Sequence, residues 1–370
     1  MQFGLSESQQ ILKDNARKFF AGECPITEVR RLMETPTAYD ATLWTKMAEQ
    51  GFTGIISPEE YGGLGLGKVE LVLLMEEAGF ALLPGPFFST VALAAPVFEA
   101  LGSPDQKKKY LAPICSGQAR STVAMLEAAA SWDPAHVQMS AQSGKLTGQK
   151  LFVIDAAVAD SIVVVARNGV FVVDAKAPGV TIAPMSSMDI TRKQYSVKFN
   201  NTPAEKLGDL AGLSRALDIS TAALVAELVG GMQRSLDLTV QYAKTRKQFG
   251  KPIGSFQAVQ HQCADMYLET ESSRSAAYYA GWALEENTPD AATAVSIAKM
   301  YASDAARSIG NHGIQIHGGM GFTWENDLHL YYRRAKASET ALGDATFHRE
   351  RIAQLVIDAG TASAQTAKSA

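Results

Sequence analysis

The hydrophobic pattern of the chain changes character twice, and these changes limit the folds open to it. Up to about residue 120, apolar residues recur at helical spacing, first after a capping-box signature formed by Ser6 and Gln9. Between about 121 and 210 they form short runs rich in Val and Ile, separated by Gly, Asp and Pro, which is typical of strands. From about 213 to 359 the pattern is that of long amphipathic helices. This order predicts a mainly α fold with a β insertion.

The length of the chain is consistent with several packed units. At 370 residues it exceeds one typical domain and can bury a large core. We predict an N-terminal helical domain over 1–120, a middle β-domain over 121–210, and a C-terminal helical bundle over 211–360. A small, polar, flexible tail is expected over 361–370.

Composition excludes several classes of protein. The three cysteines, Cys24, Cys115 and Cys263, form no CxxC or Cys/His ligand spacing, which favours a reducing compartment and no metal site. No apolar run reaches the ~18 to 20 residues of a membrane span, and the start MQFGLSESQQ lacks the features of a signal peptide. We therefore expect a cytoplasmic protein without a membrane span. The formal charge of −4, with interspersed signs, argues against a nucleic-acid surface.

Two segments carry residues suited to an anionic or planar ligand. The first is RKQFGKPIGSFQAVQHQCADM (246–266), in which the planar guanidinium of Arg246 suits phosphate oxygens. Composition alone also allows a helix–turn–helix with a solvated basic end. The second is QIHGGMGF (315–322), whose paired glycines let backbone amides approach a ligand closely. In isolation these glycines could equally end a helix.

Together with PEEYGGLG (58–65) and YYRRAK (331–336), these segments resemble, in order along the chain, the acyl-CoA dehydrogenase family. The resemblance implies an N-terminal helical domain, a middle β-domain and a C-terminal four-helix bundle around FAD at a subunit interface. It also implies α,β-desaturation of an acyl-CoA thioester, with electrons passed to an electron-transferring flavoprotein. The positions that match the family's flavin contacts across the interface are Arg246, Gln248, Phe249, Phe256, Gln257, Gln315, Gly318 and Gly319.

The glutamate that removes the substrate α-proton in this family is missing at both usual positions. The first position, six residues after Lys336, is Leu342, and the second, on the first long C-terminal helix, is Ser220. Leucine cannot accept a proton, and serine without a partnering base is a poor candidate. Asp344, Glu339 and Asp218 are the nearest carboxylates. Asp344 could be a relocated base, with helix capping or solvation as its other role.

The β-domain departs from the family pattern as well. LEAAASWD (126–133) stands where the family has a segment like TEPGAGSD, and Ile154 replaces a threonine that contacts the flavin ring. Leu126 and Ile154 supply no hydroxyl groups for hydrogen bonds. The chain thus lacks residues for the part of the flavin site that a subunit forms for its own FAD. It retains the residues that contact the FAD of the neighbouring subunit.

In this asymmetry the chain resembles the non-catalytic subunits of the heteromeric acyl-CoA dehydrogenases of bacterial steroid side-chain degradation. The resemblance implies an α₂β₂ heterotetramer with a catalytic paralogue, fewer flavins than chains, and a steroid-derived acyl-CoA as the substrate. Two other functions remain open at the level of the sequence. One is a self-sufficient homotetrameric enzyme that uses a relocated base such as Asp344, and the other is a non-enzymatic CoA-ester-binding or scaffold protein.

Overall fold

The computed structural model describes residues 4–358, so the tail predicted over 361–370 lies outside the described residues. Helices come first, strands fill the middle and long helices follow, which confirms the predicted mainly α fold with a β insertion. The first region begins with α1 (Glu7–Glu23), α2 (Ile26–Met33), α3 (Ala41–Glu49) and α4 (Lys68–Phe80). A π-helical segment (Phe88–Ala94) then leads into α5 (Ala95–Leu101). The short helix α6 (Pro104–Gln106) continues through a second π-helical segment (Lys107–Leu111) into α7 (Ala112–Cys115).

The first helix begins where the capping signature predicts. Ser6 Oγ accepts a hydrogen bond from the backbone N–H of Gln9 at 3.2 Å, and the Gln9 side chain accepts one from the Ser6 N–H at 3.0 Å. Two of the otherwise unpaired donors at the helix N-terminus are thereby satisfied. Further along α1, Ala16 and Phe20 are buried in the core. The predicted capping box is confirmed.

The middle region consists of two sheets. One has the strand order β1-β3-β4-β7, with β1 parallel to β3, and the other has the order β2-β6-β5. A two-residue turn, Arg167-Asn168, joins β3 to β4, because Ala166 pairs with Gly169. The strands are β1 (Ser121–Ala124), β2 (Lys145–Ile154), β3 (Ser161–Ala166), β4 (Gly169–Asp174), β5 (Val180–Met185), β6 (Gln194–Pro203) and β7 (Glu205–Gly208).

The third region is a bundle of long helices joined by short turns. A small hairpin of β8 (Lys247–Gln248) and β9 (Lys251–Pro252) follows the first of them. No helix within residues 4–358 is long and apolar enough to cross a membrane. The helices are α8 (Leu213–Thr245), α9 (Gln257–Glu285), α10 (Ala291–His317), α11 (Leu328–Thr340) and α12 (Ala345–Ala353), which ends in a π-helical segment (Gln354–Asp358). The 3₁₀ segments are Phe52–Gly54, Glu59–Tyr61, Pro134–His136, Ala156–Val158, Leu210–Gly212, Ile253–Ser255 and Gly318–Phe322.

Two glycines let the N-terminal helices pack closely against the bundle. A Cβ atom at Gly230 on α8 would lie 1.9 Å from the carbonyl oxygen of Glu76 on α4. Reciprocally, a Cβ at Gly79 on α4 would lie 2.0 Å from the carbonyl oxygen of Glu227 on α8. Such distances exclude any side chain at these positions. Gly230 and Gly79 therefore serve the close contact between α4 and α8.

A buried ionic network connects the β-domain with the bundle. The guanidinium of Arg334 on α11 donates to Asp189 Oδ2 at 2.5 Å, Thr191 Oγ1 at 2.6 Å and Glu227 Oε1 at 3.1 Å. Arg192 donates to the same Glu227 oxygen. All five side chains are buried. Since buried charges persist only where they are paired, this network ties the two regions to one relative position.

Candidate functional site

The two glycine-containing motifs meet at one end of the helical bundle. The ring of Tyr242, near the end of α8, stacks on His317, the last residue of α10, with centroids 4.3 Å apart. His317 is buried, and its Nδ1 lies 2.8 Å from the Gly313 carbonyl oxygen. Burial lowers the pKa of His317, so the neutral ring is favoured. The end of α8, which leads directly into segment 246–266, is thus in contact with the end of α10, which carries segment 315–322.

The first motif forms a projecting hairpin with an aromatic tip. Phe249 adopts φ 51° and is 91% exposed, and Gly250 follows at φ 78°. Two successive residues with positive φ form the kind of turn that a two-residue hairpin requires, and glycine meets this need without strain. The Phe256 ring meets Phe249 edge-on at 6.1 Å and lies 4.4 Å from Lys251 Nζ. The two rings and the Lys251 ammonium group therefore form a small aromatic and cationic surface at this end of the molecule.

The second motif lines a groove of about 470 Å³. Gly318 follows the last residue of α10, and its N–H donates to the Gln315 carbonyl, so this glycine does end the helix. Gly318, Gly319 and Gln315 are also exposed, and all three line the groove together with the aromatic rings of Phe322 and Tyr332. The structure therefore places every one of the eight predicted flavin contacts on the surface, with only Phe256 half-buried.

A second and larger cavity, of about 650 Å³, lies between the β-domain and the ends of α11 and α12. Leu126 and Ile154 form part of its β-domain wall, and Ala341, Gly343 and Asp344 form part of the opposite wall. This volume is in the range of small-molecule sites. None of the eight predicted flavin contacts lines it.

The sequence did not reveal one prominent residue of this cavity, Phe152. A β-bulge between Lys150 and Val153 interrupts the pairing of β2 with β6 and turns the Phe152 ring into the cavity, where it is 40% exposed. Its φ of 55° is rarely adopted by a bulky residue. Strained residues and bulges concentrate at functional sites. The run LFVI carries no sequence signal for the bulge.

The two usual positions of the base are both occupied by residues with structural roles. Leu342 is buried and lines a separate pocket of about 70 Å³ rather than the large cavity. Ser220 is buried on α8, and its hydroxyl donates to the Ala216 carbonyl at 3.0 Å, an ordinary bond along a helix.

Two of the three nearby carboxylates are held in ion pairs. Arg351 donates to both Asp218 oxygens, at 2.5 and 2.9 Å, while burial raises the pKa of Asp218. Burial likewise acts to raise the pKa of Glu339, but Arg307 and Lys336 outweigh it and lower that pKa. Only Asp344 faces the large cavity. It is the N-cap of α12, where Oδ1 accepts from the Phe347 N–H at 2.8 Å.

A buried lysine holds the loop that carries Leu342. Lys299 Nζ donates to the carbonyl oxygens of Ser338 (3.1 Å), Glu339 (2.8 Å) and Gly343 (2.9 Å). The carbonyls at a helix C-terminus lack partners and favour a cation. Burial lowers the pKa of Lys299 to about 7. Sequence analysis overlooked this residue, although a lysine within the apolar stripe of α10 was a detectable signal.

Comparison with known proteins gives consistent matches along the chain. Residues 6–118 match the sequence profile described as acyl-CoA dehydrogenase, N-terminal domain, and residues 212–357 match the profile for its C-terminal domain. Acyl-CoA dehydrogenase IpdE2 of Mycolicibacterium smegmatis is 30% identical over 92% of this chain and 96% of the relative. IpdE2 of Mycobacterium tuberculosis is 32% identical over 91% of this chain and 93% of the relative.

Solved structures agree in fold. The Tcur3481–Tcur3483 steroid ACAD superposes with a TM-score of 0.88 and 30% identity, over 96% of this chain and 99% of that one. The ChsE4–ChsE5 complex from Mycobacterium tuberculosis superposes with a TM-score of 0.86 and 28% identity, over 96% of this chain and 98% of that one.

Proposed function

The chain belongs to the acyl-CoA dehydrogenase family, and from this premise we propose that it is the non-catalytic subunit of a heteromeric, FAD-dependent acyl-CoA dehydrogenase. In this proposal a catalytic paralogue binds most of the FAD and supplies the general base. The present chain contributes the hairpin and the groove to that flavin across a subunit interface.

The observation that carries the proposal is the separation of the two sites. Five of the eight predicted flavin contacts lie between the end of α8 and the start of α9, on or beside the hairpin, and the other three line the groove. None of the eight lines the large cavity of the same chain. Within the described residues the guanidinium of Arg246 makes no hydrogen bond or ion pair. Exposed binding groups without an internal partner are suited to a ligand held mainly by another chain.

The exposed residues fit the chemistry of FAD, whose flavin ring, when bound, accepts a hydride from the substrate. Arg246 offers a planar, charged donor to the pyrophosphate, and the backbone at Gly318 and Gly319 allows close approach of the ribose or adenine. The large cavity fits less well, since Leu126 and Ile154 offer no side-chain hydrogen bonds to a flavin edge. Leu342 cannot remove the substrate α-proton, and we assign that step to a carboxylate of the paralogue.

The relatives support the assembly and the substrate class. The Tcur3481–Tcur3483 and ChsE4–ChsE5 structures are each named for two different chains, and the first is named as a steroid enzyme. We therefore propose a heterotetramer of the α₂β₂ type that acts on a steroid-derived acyl-CoA thioester. Electron-transferring flavoprotein as the electron acceptor and a cytoplasmic location belong to the same proposal.

The test is the flavin content of the purified protein with and without its partner. The chain is expressed alone and together with a paralogous acyl-CoA dehydrogenase from the same organism, and FAD released by denaturation is counted per chain. We expect little or no FAD in the chain alone, and a complex with fewer flavins than chains. One FAD per subunit in the chain alone, bleached by an acyl-CoA, would overturn the proposal.

A self-sufficient homotetramer is the second candidate, because Asp344 is exposed and faces the large cavity. Replacing Asp344 by asparagine separates capping from base chemistry, since asparagine is an equally good N-cap. If Asp344 only caps α12, Asp344→Asn leaves turnover of the purified enzyme unchanged, while Asp344→Ala lowers the free energy of unfolding by about 0.5–2 kcal/mol. If Asp344 is the base, Asp344→Asn lowers turnover by about 10²- to 10⁴-fold while flavin absorbance stays the same.

A further inference from the structure

The large cavity and the pocket that contains Leu342 are adjacent, and two aromatic side chains separate them. Trp132 and Phe347 line both spaces, whereas Leu342 lines only the smaller one. The smaller pocket measures about 70 Å³. Leu342 itself is only 6% exposed.

The Trp132 indole is fixed across the gap between the β-domain and the bundle. Its Nε1–H donates to the carbonyl oxygen of Thr340, the last residue of α11, at 3.0 Å. That carbonyl lies at a helix C-terminus and has no partner within the helix. The hydrogen bond thus fixes the ring and also caps the helix.

The loop that carries Trp132 is anchored on its β-domain side. The Glu127 carboxylate accepts the N–H groups of Gln138 at 2.8 Å and Met139 at 2.9 Å. Its Oε1 also accepts from Lys150 Nζ at 2.8 Å, and Lys150 is fully buried. Hydrogen bonds to a charged group are about twice as strong as neutral ones, so the loop is held on both sides of the tryptophan.

The opposite wall is equally constrained. Lys299 holds the Gly343 carbonyl, and His348 Nε2 lies 3.0 Å from the Leu342 carbonyl oxygen. The Asp218–Arg351 ion pair forms part of the wall of the smaller pocket. Moving either side away from Trp132 would break these hydrogen bonds, and the loss of the buried ones, made by Lys299 and His348, is costly.

We propose that the Trp132 ring determines specificity by closing the path from the large cavity to the Leu342 position, and so keeps the acyl group of a CoA thioester away from that position in this subunit. The identity of the excluded ligand rests on the proposed function, whereas the closure itself does not. The position of the missing base would thus be closed to substrate as well as chemically inert.

The test measures access to position 342 directly, with N-ethylmaleimide as the probe. Leu342→Cys is introduced into the full chain that also carries Cys263→Ser, since Cys263 is the one native cysteine that is partly exposed. Alkylation of Cys at 342 is followed by mass spectrometry with Trp132 kept, with Trp132→Phe and with Trp132→Ala. We expect slow labelling with tryptophan or phenylalanine, and labelling at least about tenfold faster with alanine, because the native fold blocks reagents until a local path opens.

Two buried native thiols serve as internal controls for unfolding. Cys24 and Cys115 remain unmodified as long as the chain is folded, so only labelling confined to position 342 counts. Trp132→Leu replaces the alanine variant if that variant does not fold. Fast labelling at 342 with Trp132 in place, no acceleration in the smaller variant, or equal acceleration in Trp132→Phe would each overturn closure by the ring. No flavin or partner takes part, so these outcomes leave the flavin-content test of the proposed function unaffected.

Discussion

Replacing Arg334 by methionine is expected to lower the free energy of unfolding by about 3–5 kcal/mol, as is usual when one partner of a buried ion pair is removed. Arg334 is 5% exposed, and its guanidinium pairs with Asp189 and Glu227, which are also buried. Without it, two buried carboxylates would share the single charge of Arg192. Urea unfolding at neutral pH, followed by circular dichroism, measures the change.

The adjacent Arg333 provides a matched control. It is only half-buried, donates to the Met188 carbonyl at 3.3 Å and lies over the Trp324 ring at 5.3 Å. Arg333→Met removes the same charge from the same helix, yet we expect a change of at most about 1 kcal/mol, since it leaves no buried charge unpaired. Equal losses in the two variants would contradict the role assigned to the network.

Replacing Arg246 by alanine is expected to weaken FAD binding by the complex with the paralogue about 10- to 100-fold. This estimate corresponds to the loss of a hydrogen bond to a charged group, about 1.5–3 kcal/mol. The side chain of Arg246 is exposed, and only its backbone participates in the fold, with its N–H bonded to the Tyr242 carbonyl at 2.8 Å. The change should therefore spare stability. Titration of the flavin-free complex with FAD, followed by flavin fluorescence, gives the dissociation constant.

Lys247 tests whether the effect is specific to the guanidinium. It is exposed on the same hairpin and carries the same charge, so Lys247→Ala changes the general electrostatic field equally. We expect its FAD affinity to stay within about twofold of the unmodified complex, because long-range attraction between exposed charges is screened by salt. Similar losses of FAD affinity in both variants would show that positive charge on the hairpin, and not the Arg246 guanidinium in particular, attracts the FAD. An unchanged FAD affinity in Arg246→Ala would show that Arg246 is not part of the flavin site.

The order of hydrophobic patterns along the sequence predicts much of the fold. The runs KLTGQKLFVI and GVFVVD coincide with β2 and β4, and α8 and α10 lie in the segments with long helical periodicity. The strands β1 and β7 have four residues each, and runs this short contain too few residues to establish a period in the sequence. Their pairing with β3 and β4 depends on partners distant in sequence.

The candidate site, like the fold, is only partly predictable from the sequence. The sequence by itself determined which chemical groups the chain has, including Arg246, the glycine pair and the absence of an acid at position 342, because residue identity decides who can donate or accept a proton. Only the tertiary structure decided that Tyr242 stacks on His317 and that a β-bulge places the Phe152 ring in the large cavity. It also decided that Trp132 lies between that cavity and Leu342. Such placements arise from long-range packing and hydrogen bonds between segments far apart in the chain, and no local pattern encodes them.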